Sequence, residues 1–151
     1  MTSVLIIEAR YYEDIADELM RGALSELEER GVAHERVTVP GALEIPVALS
    51  LAIRAGQVGS NARHKGCVAL GCVIRGETSH YDIVAGESAR ALLDIGIAHS
   101  VPVGNGILTV DNRNQAWARA RTDDRNKGRD AVRACLSLID LQSSLGAPEK
   151  K

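Results

Sequence analysis

An unbroken apolar run, Cys67-Val68-Ala69-Leu70-Gly71-Cys72-Val73-Ile74, constrains this chain more than any other segment. It has the length of a strand, and a strand apolar at every position must be covered on both faces. That requirement points to a parallel sheet between layers of helices. The rest of the chain agrees, because short apolar runs alternate with segments of helical period. Val4-Leu5-Ile6-Ile7 reads as the first strand. Ile15, Leu19, Met20, Ala23, Leu24 and Leu27 mark a helix from Glu13 to Arg30, which Gly31 stops. Arg36 to Val39 reads as a second strand ended by Pro40-Gly41, and Leu43 to Ala55 as a helix with Glu44 and Pro46 in its first turn. A polar loop, Gln57 to Lys65, leads into the long apolar strand. A helix from His80 to Ala98 follows, apolar on most sides (Ile83, Val84, Ala89, Leu92, Leu93, Ile95), so it is expected to be buried against more than the sheet. Val101 to Val110 reads as the fourth strand. Asp111 or Asn112 caps a helix with Trp117 and Arg119, Thr122-Asp123-Asp124-Arg125 breaks it, and a last helix carries Ala131, Val132, Cys135, Leu138 and Ile139. The tail from Ser143 is expected to fray.

The expectation is one α/β domain over 1–151, a three-layer α/β/α sandwich with a four-stranded parallel, flavodoxin-like sheet. The core must be aliphatic: 45% of residues are hydrophobic, yet Phe is absent and aromatics make up 3%. A net charge of −2 weighs against nucleic acid or an anionic membrane as the main partner. No apolar run approaches the roughly 18 residues of a membrane span. The chain enters its first strand with no signal-peptide pattern, so a cytoplasmic protein is expected. Cys67, Cys72 and Cys135 are odd in number and lack metal-ligand spacing, which reads as free thiols in a reducing compartment and no metal site.

Ligands of such sheets sit outside the carboxyl ends of the strands. Four loops leave those ends: Ala9 to Tyr12, Pro40 to Glu44, Arg75 to His80, and Thr109 to Asn112. The third is the most telling. A turn through Gly76 into a helix start leaves backbone N–H groups without intrahelical partners, and these suit a phosphate. Thr78 and Ser79 add hydroxyls, and His80 adds a group able to move protons near neutral pH. Singly, each candidate has a plainer reading. His80 could be a surface cap, Arg119 a solvated helix charge, and Glu44 a carboxylate favoured by the helix dipole. Tyr11 could cover the core's edge, and Lys127 could cap a turn.

Together these residues form a pattern. Val39-Pro40-Gly41-Ala42-Leu43-Glu44-Ile45-Pro46, then Gly71-Cys72-Val73-Ile74-Arg75-Gly76-Glu77-Thr78-Ser79-His80-Tyr81-Asp82, then Asn126-Lys127-Gly128 resemble the lumazine synthase family in order and spacing. Arg10-Tyr11 and Arg119 extend the resemblance over nearly the whole chain. It implies condensation of 5-amino-6-(D-ribitylamino)uracil with 3,4-dihydroxy-2-butanone 4-phosphate, the penultimate step of riboflavin synthesis, without metal or organic cofactor. His80 matches the family's proton-transfer histidine. Gly76, Glu77, Thr78 and Ser79 match its phosphate-binding turn, and Arg119 the arginine paired with that phosphate. Tyr11 matches an aromatic that stacks on the pyrimidine. Ala42 and Glu44, with Leu43 between them, match positions that hold the ribityl chain. Val73 and Ile74 match backbone contacts to the uracil edge, and Lys127 a basic residue near the polyol.

The resemblance also implies a site between subunits of a homopentamer, with Tyr11, Glu44 and His80 from one chain and Arg119 and Lys127 from its neighbour. Three departures stand out. Tyr12 replaces an Asn common after the stacking aromatic. Asn105 stands in the substrate pocket where many members have an aromatic. Thr122-Asp123-Asp124-Arg125 replaces a Gly-containing turn typical of sixty-subunit shells. With a short N-terminus lacking an extra leading strand, this favours a free pentamer over a shell. A flavin- or lumazine-binding module that has lost turnover is the rival reading, motivated by Tyr12 and Asn105. A flavodoxin-like phosphate binder with another substrate is a third.

Overall fold

Residues 2–146 are described in the computed structural model. Nine elements alternate along them: β1 (Ser3–Ala9), α1 (Glu13–Glu29), β2 (Ala33–Val39), α2 (Glu44–Arg54), β3 (Gly66–Ile74), α3 (His80–His99), β4 (Val103–Val110), α4 (Arg113–Ala120) and α5 (Lys127–Leu145). The four strands form one all-parallel sheet in the order β2-β1-β3-β4.

The period-2 alternation of strands divides the core into two layers. Val4 and Ile6 of β1 and Val68 and Leu70 of β3 pack with Met20, Leu27, Val132 and Cys135 of α1 and α5. The intervening residues, Leu5, Ile7, Cys67 and Ala69, pack on the opposite face with Ile45, Leu49 and Leu92 of α2 and α3. Each of these large aliphatic side chains contributes about 1.5–3 kcal/mol by leaving water, which accounts for a stable core without phenylalanine. A third cluster, around Ile15, Leu19, Leu108, Val110 and Ala116, joins α1 and α4 at the carboxyl end of β4.

Several boundaries differ from the expectation. β2 starts at Ala33, ahead of Arg36, and most of its residues are exposed, including Val37. As an edge strand with little covering it, it carries no burial pattern to read. The fourth strand begins at Val103 because Val101 and Pro102 belong to the turn after α3. Asn112, not Asp111, caps α4: its Oδ1 accepts from Gln115 N at 2.9 Å, while Gln115 Oε1 accepts from Asp111 N at 2.7 Å. Gly31 does end α1, with φ +66°. The expected fraying from Ser143 is not seen through Leu145, where α5 ends; residues 147–151 of that expectation lie outside the described residues. No helix among the described residues is long and apolar enough to cross a membrane.

The largest difference concerns α3. Only Val84, Ser88 and Leu92 of this helix are buried, while Ile83, Leu93 and Ile97 are exposed. Leu93 and Ile97 face Leu138, Leu141 and Leu145 of α5 across an apolar groove of about 830 Å³ beside β4.

Candidate active site

The carboxyl ends of the strands bring Tyr11, the Ala42–Glu44 turn, Ile74 and the Gly76–His80 turn to one rim. β3 creates the opening. Its pairing with β1 stops at Glu8–Leu70, whereas its pairing with β4 runs on to Ile74–Val110. From Gly71 onward the β1 side of β3 is therefore free. Arg75 N donates to Val110 O at 2.9 Å. Alternation along the strand then turns the backbone of Val73 to β4 and that of Ile74 to the open side. Of this pair, Ile74 is the residue with backbone groups free for a planar ligand edge.

The turn after β3 supplies donors. Thr78 Oγ1 accepts from His80 N at 3.3 Å, and Ser79 O accepts from Asp82 N at 3.0 Å. The N–H groups of Thr78, Ser79 and Tyr81 find no partner among the described residues. They lie at the positive end of the 20-residue helix α3. Arg75 straps this turn from below. Its Nε donates to Asp111 Oδ1 at 3.1 Å, its Nη1 is 3.5 Å from Asp82 Oδ1, and its guanidinium lies 4.3 Å from the Tyr81 ring centroid. Across the rim, Glu44 lies in the first turn of α2, with its carboxylate folded close to Gly41: a Cβ on that glycine would meet Glu44 Oε1 at 3.0 Å. Ala42 is buried beneath this turn, Leu43 is half-buried, and Tyr11 is 77% exposed.

A second group sits elsewhere. Asn105, Thr109, Arg119, Lys127 and Asp130 line a cleft of about 280 Å³ along β4, the strand at the sheet's edge. None of the rim residues lines it. Arg119 is half-buried, donates to Gln115 O at 3.1 Å and has no carboxylate partner among the described residues, so its fork is open to an anion. Lys127 Nζ stands 3.6 Å from Asp130 Oδ2. Asn105 Oδ1 accepts from Ile107 N at 2.9 Å, two residues along its own strand. Thr109 and Asp130 were not anticipated from sequence; the Lys127–Asp130 spacing, one turn on a helix face, was the available signal.

Local geometry explains the Asn126-Lys127-Gly128 motif. Asn126 is left-handed at φ 47°, and its Oδ1 caps α5 by accepting from Arg129 N. A Cβ at Gly128 would lie 2.0 Å from Leu19 O. Asn and Gly thus let α5 begin against α1, and Lys127 is presented between them.

Tyr12 points the other way from Tyr11. It packs against the cluster of Ile15, Leu108 and Ala116, and burial, reinforced by Cys72 and Tyr11, raises its phenol pKa. This residue is partly buried against that cluster, which fits its departure from a polar Asn. Buried polar groups were also missed, Glu8 and His64 among them. Glu8 is enclosed among Arg10, Arg36 and Thr38, and His64, inside the expected polar loop, bonds Ser3 Oγ through Nδ1 at 2.8 Å with Nε2 3.2 Å from Glu35. Their signals are non-local and no local pattern announces them. The three cysteines are free. Burial pushes the Cys72 thiol up to about 11 against the opposing effect of Arg113, and the Cys135 thiol up to about 12.

A family model described as 6,7-dimethyl-8-ribityllumazine synthase matches residues 1–143. A protein of that name from Agrobacterium fabrum is 53% identical over 143 residues, covering 95% of this chain and 96% of its own length. The one from Xanthobacter autotrophicus is 56% identical, covering 95% and 87%. The protein named 6,7-dimethyl-8-ribityllumazine synthase 1 from Rhizobium meliloti is 54% identical, covering 95% and 94%.

Proposed function

The chain belongs to the 6,7-dimethyl-8-ribityllumazine synthase family, and from that membership we propose how its residues divide the work. It is a transferase of riboflavin biosynthesis, condensing 5-amino-6-(D-ribitylamino)uracil with 3,4-dihydroxy-2-butanone 4-phosphate and releasing phosphate and water. The phosphate rests on the Gly76–His80 turn, held by its unpartnered N–H groups and by Thr78 and Ser79. Arg119 closes over it from a neighbouring chain. Tyr11 stacks on the pyrimidine, the open backbone of Ile74 reads the uracil edge, and Val73 lines the same end of β3. Ala42, Leu43 and Glu44 hold the ribityl chain, with Lys127 and Asn105 of the neighbour on its other side. Schiff-base formation, phosphate elimination and ring closure each move a proton, and His80, one residue past the anchor, is placed to carry it. Holding both substrates over one anchor supplies much of the rest of the acceleration.

The observation that carries this reading is that the rim group and the β4-edge group share no cleft within one chain. The exposed apolar faces of α3 and α5 support a second copy as the missing half, in a homo-oligomer. A closed ring of five chains is our reading, since a heterologous contact must close on itself to stay finite. Light scattering should give roughly five chains' mass; a mass near that of sixty chains would refute it. The free thiols, of which Cys67 and Cys135 are buried, fit a cytoplasmic site of action.

Subunit mixing tests the shared site. Assayed with the butanone phosphate well below its KM, His80→Ala and Arg119→Ala chains, denatured together and refolded, should regain up to about one quarter of wild-type activity, because random pairing rebuilds that share of intact sites. No recovery would place both residues in one chain's site. The reaction is followed by lumazine absorbance with both substrates present. A wild-type rate no higher than the spontaneous one would mark the protein as a binder.

A further inference from the structure

Glu8, on the last turn of strand before the rim, is 2% exposed and ionisable. Both oxygens are engaged. Oε1 accepts from Arg10 Nη1 at 2.8 Å; Oε2 accepts from Arg36 Nη2 at 2.9 Å, Arg36 Nε at 3.2 Å and Thr38 Oγ1 at 3.4 Å. The parallel register explains the grouping. Glu8 pairs with Thr38 and Ile6 with Arg36, so Glu8, Arg36 and Thr38 project from one face. Val4 and Ile6 show that this face of β1 is otherwise apolar. A carboxylate buried in such a place, even with partly exposed arginines around it, is often no more stable than an aliphatic replacement, so stability alone is a weak reason for it.

Its arms lead to the site. Arg10 also donates to Asp17 of α1, so one guanidinium braces the strand end to the following helix across the Ala9–Tyr12 loop. The carboxylate of Glu8, then that of Asp17, holds this guanidinium charged. Tyr11 is the next residue. On its other side Tyr12 packs, partly buried, against the cluster of Ile15 and Leu108, and the two rings meet edge to face at 4.9 Å. Tyr11 has its neighbours fixed on both sides while its own ring stays outside. The second arm, Arg36 and Thr38, lies just before the Pro40–Glu44 turn.

We propose that Glu8 is a positioning residue for the pyrimidine subsite: through Arg10 it sets where Tyr11 stands relative to the Ala42–Glu44 turn. The proposal rests on Tyr11 being the stacking residue. The test is steady-state kinetics of Glu8→Gln, Tyr11→Ala and the double variant in the assembled enzyme, with each substrate varied in turn. Gln keeps the shape and the bonds to Arg36 and Thr38 but gives up the charge that folds Arg10 inward. Expected for Glu8→Gln is a KM for the ribitylaminouracil raised about tenfold, the loss of one charge-assisted hydrogen bond. The KM for the butanone phosphate should stay within about twofold. In the Tyr11→Ala background, Glu8→Gln should add nothing, because its effect passes through the missing ring.

A Glu8→Gln enzyme with lowered thermal stability and both KM values unchanged would overturn the proposal, as would an effect that persists without Tyr11. If Glu8→Gln does not fold, Arg10→Gln, which leaves Glu8 its Arg36 and Thr38 partners, decides by the same criteria. Should Tyr11→Ala itself leave the pyrimidine KM unchanged, the stacking assignment fails and takes this proposal with it. A normal Glu8→Gln beside an impaired Tyr11→Ala removes this proposal alone.

Discussion

At the rim of the sheet, what a ligand meets is largely backbone. The open side of β3 and the N–H groups opening α3 are offered by a strand that outruns its neighbour and by a turn strapped by Arg75. Along the free edge of β4, the groups offered are side-chain cations, Arg119 and Lys127, carried on two helices. The second of them, α5, is held by close contact. A Cβ at Gly104 would sit 1.9 Å from Ala131 O, and one at Gly128 would sit 2.0 Å from Leu19 O. The rim half therefore depends on local turn geometry for its backbone donors. The edge half depends on how tightly α5 lies on β4 and α1. On the proposed reading, proton transfer belongs to the first half and charge neutralisation to both.

Four experiments break or sharpen that contrast. The largest effect is expected from His80→Ala, which leaves the anchor intact and removes the proton carrier. Turnover should fall by about 10² to 10⁴-fold with both KM values little changed, and an unaltered kcat would remove His80 from the chemistry. Gly128→Ala attacks the edge half through packing. The new methyl has a backbone carbonyl in its way, so urea unfolding should show a loss of about 3 kcal/mol, and a wild-type midpoint would mean α5 shifts freely. Arg119→Ala touches only charge: the KM for the phosphorylated substrate should rise about tenfold or more, while that for the pyrimidine holds. Equal rises for both substrates would show that the edge half does not address the phosphate.

The smallest effect concerns Cys72, half-buried beneath the rim between the two halves. Its folded pKa of about 11 exceeds the ordinary 9.0, so the thiol keeps its proton through the neutral range. Alkylation of the native protein at pH 8 should be slow and should climb about tenfold per pH unit toward 11. Any stability tied to this protonated thiol is present below pH 9 and lost as pH rises through 11. Rapid labelling at pH 8 would mean the rim opens in solution.

Strand and helix positions were legible where burial is one-sided or complete. β3 is apolar throughout because helices cover both its faces, and α1 repeats every three to four residues because one face meets the sheet. β2 was read short because an edge strand with little cover leaves no pattern. α3 shows the opposite: its apolar sequence promised burial that a single chain does not provide, and Leu93 at 65% and Ile97 at 71% exposure remain uncovered. The candidate site was legible at the Gly76–His80 turn, where the chemistry is contiguous. Asp130 and Thr109 were not, because they reach the cleft from different elements.

By itself the sequence determined the parallel α/β architecture and the location of the Gly76–His80 turn, since both follow from interactions within a few residues or from how one segment must be covered. Only the tertiary structure decided that β4 lies at the edge with Arg119 and Lys127 beside it, apart from the rim. It alone enclosed Glu8 among two arginines and a threonine, and His64 between Ser3 and Glu35. Those outcomes depend on strand order and register, which bring together residues up to 61 positions apart; local periodicity carries no information about which distant strand a given face will meet.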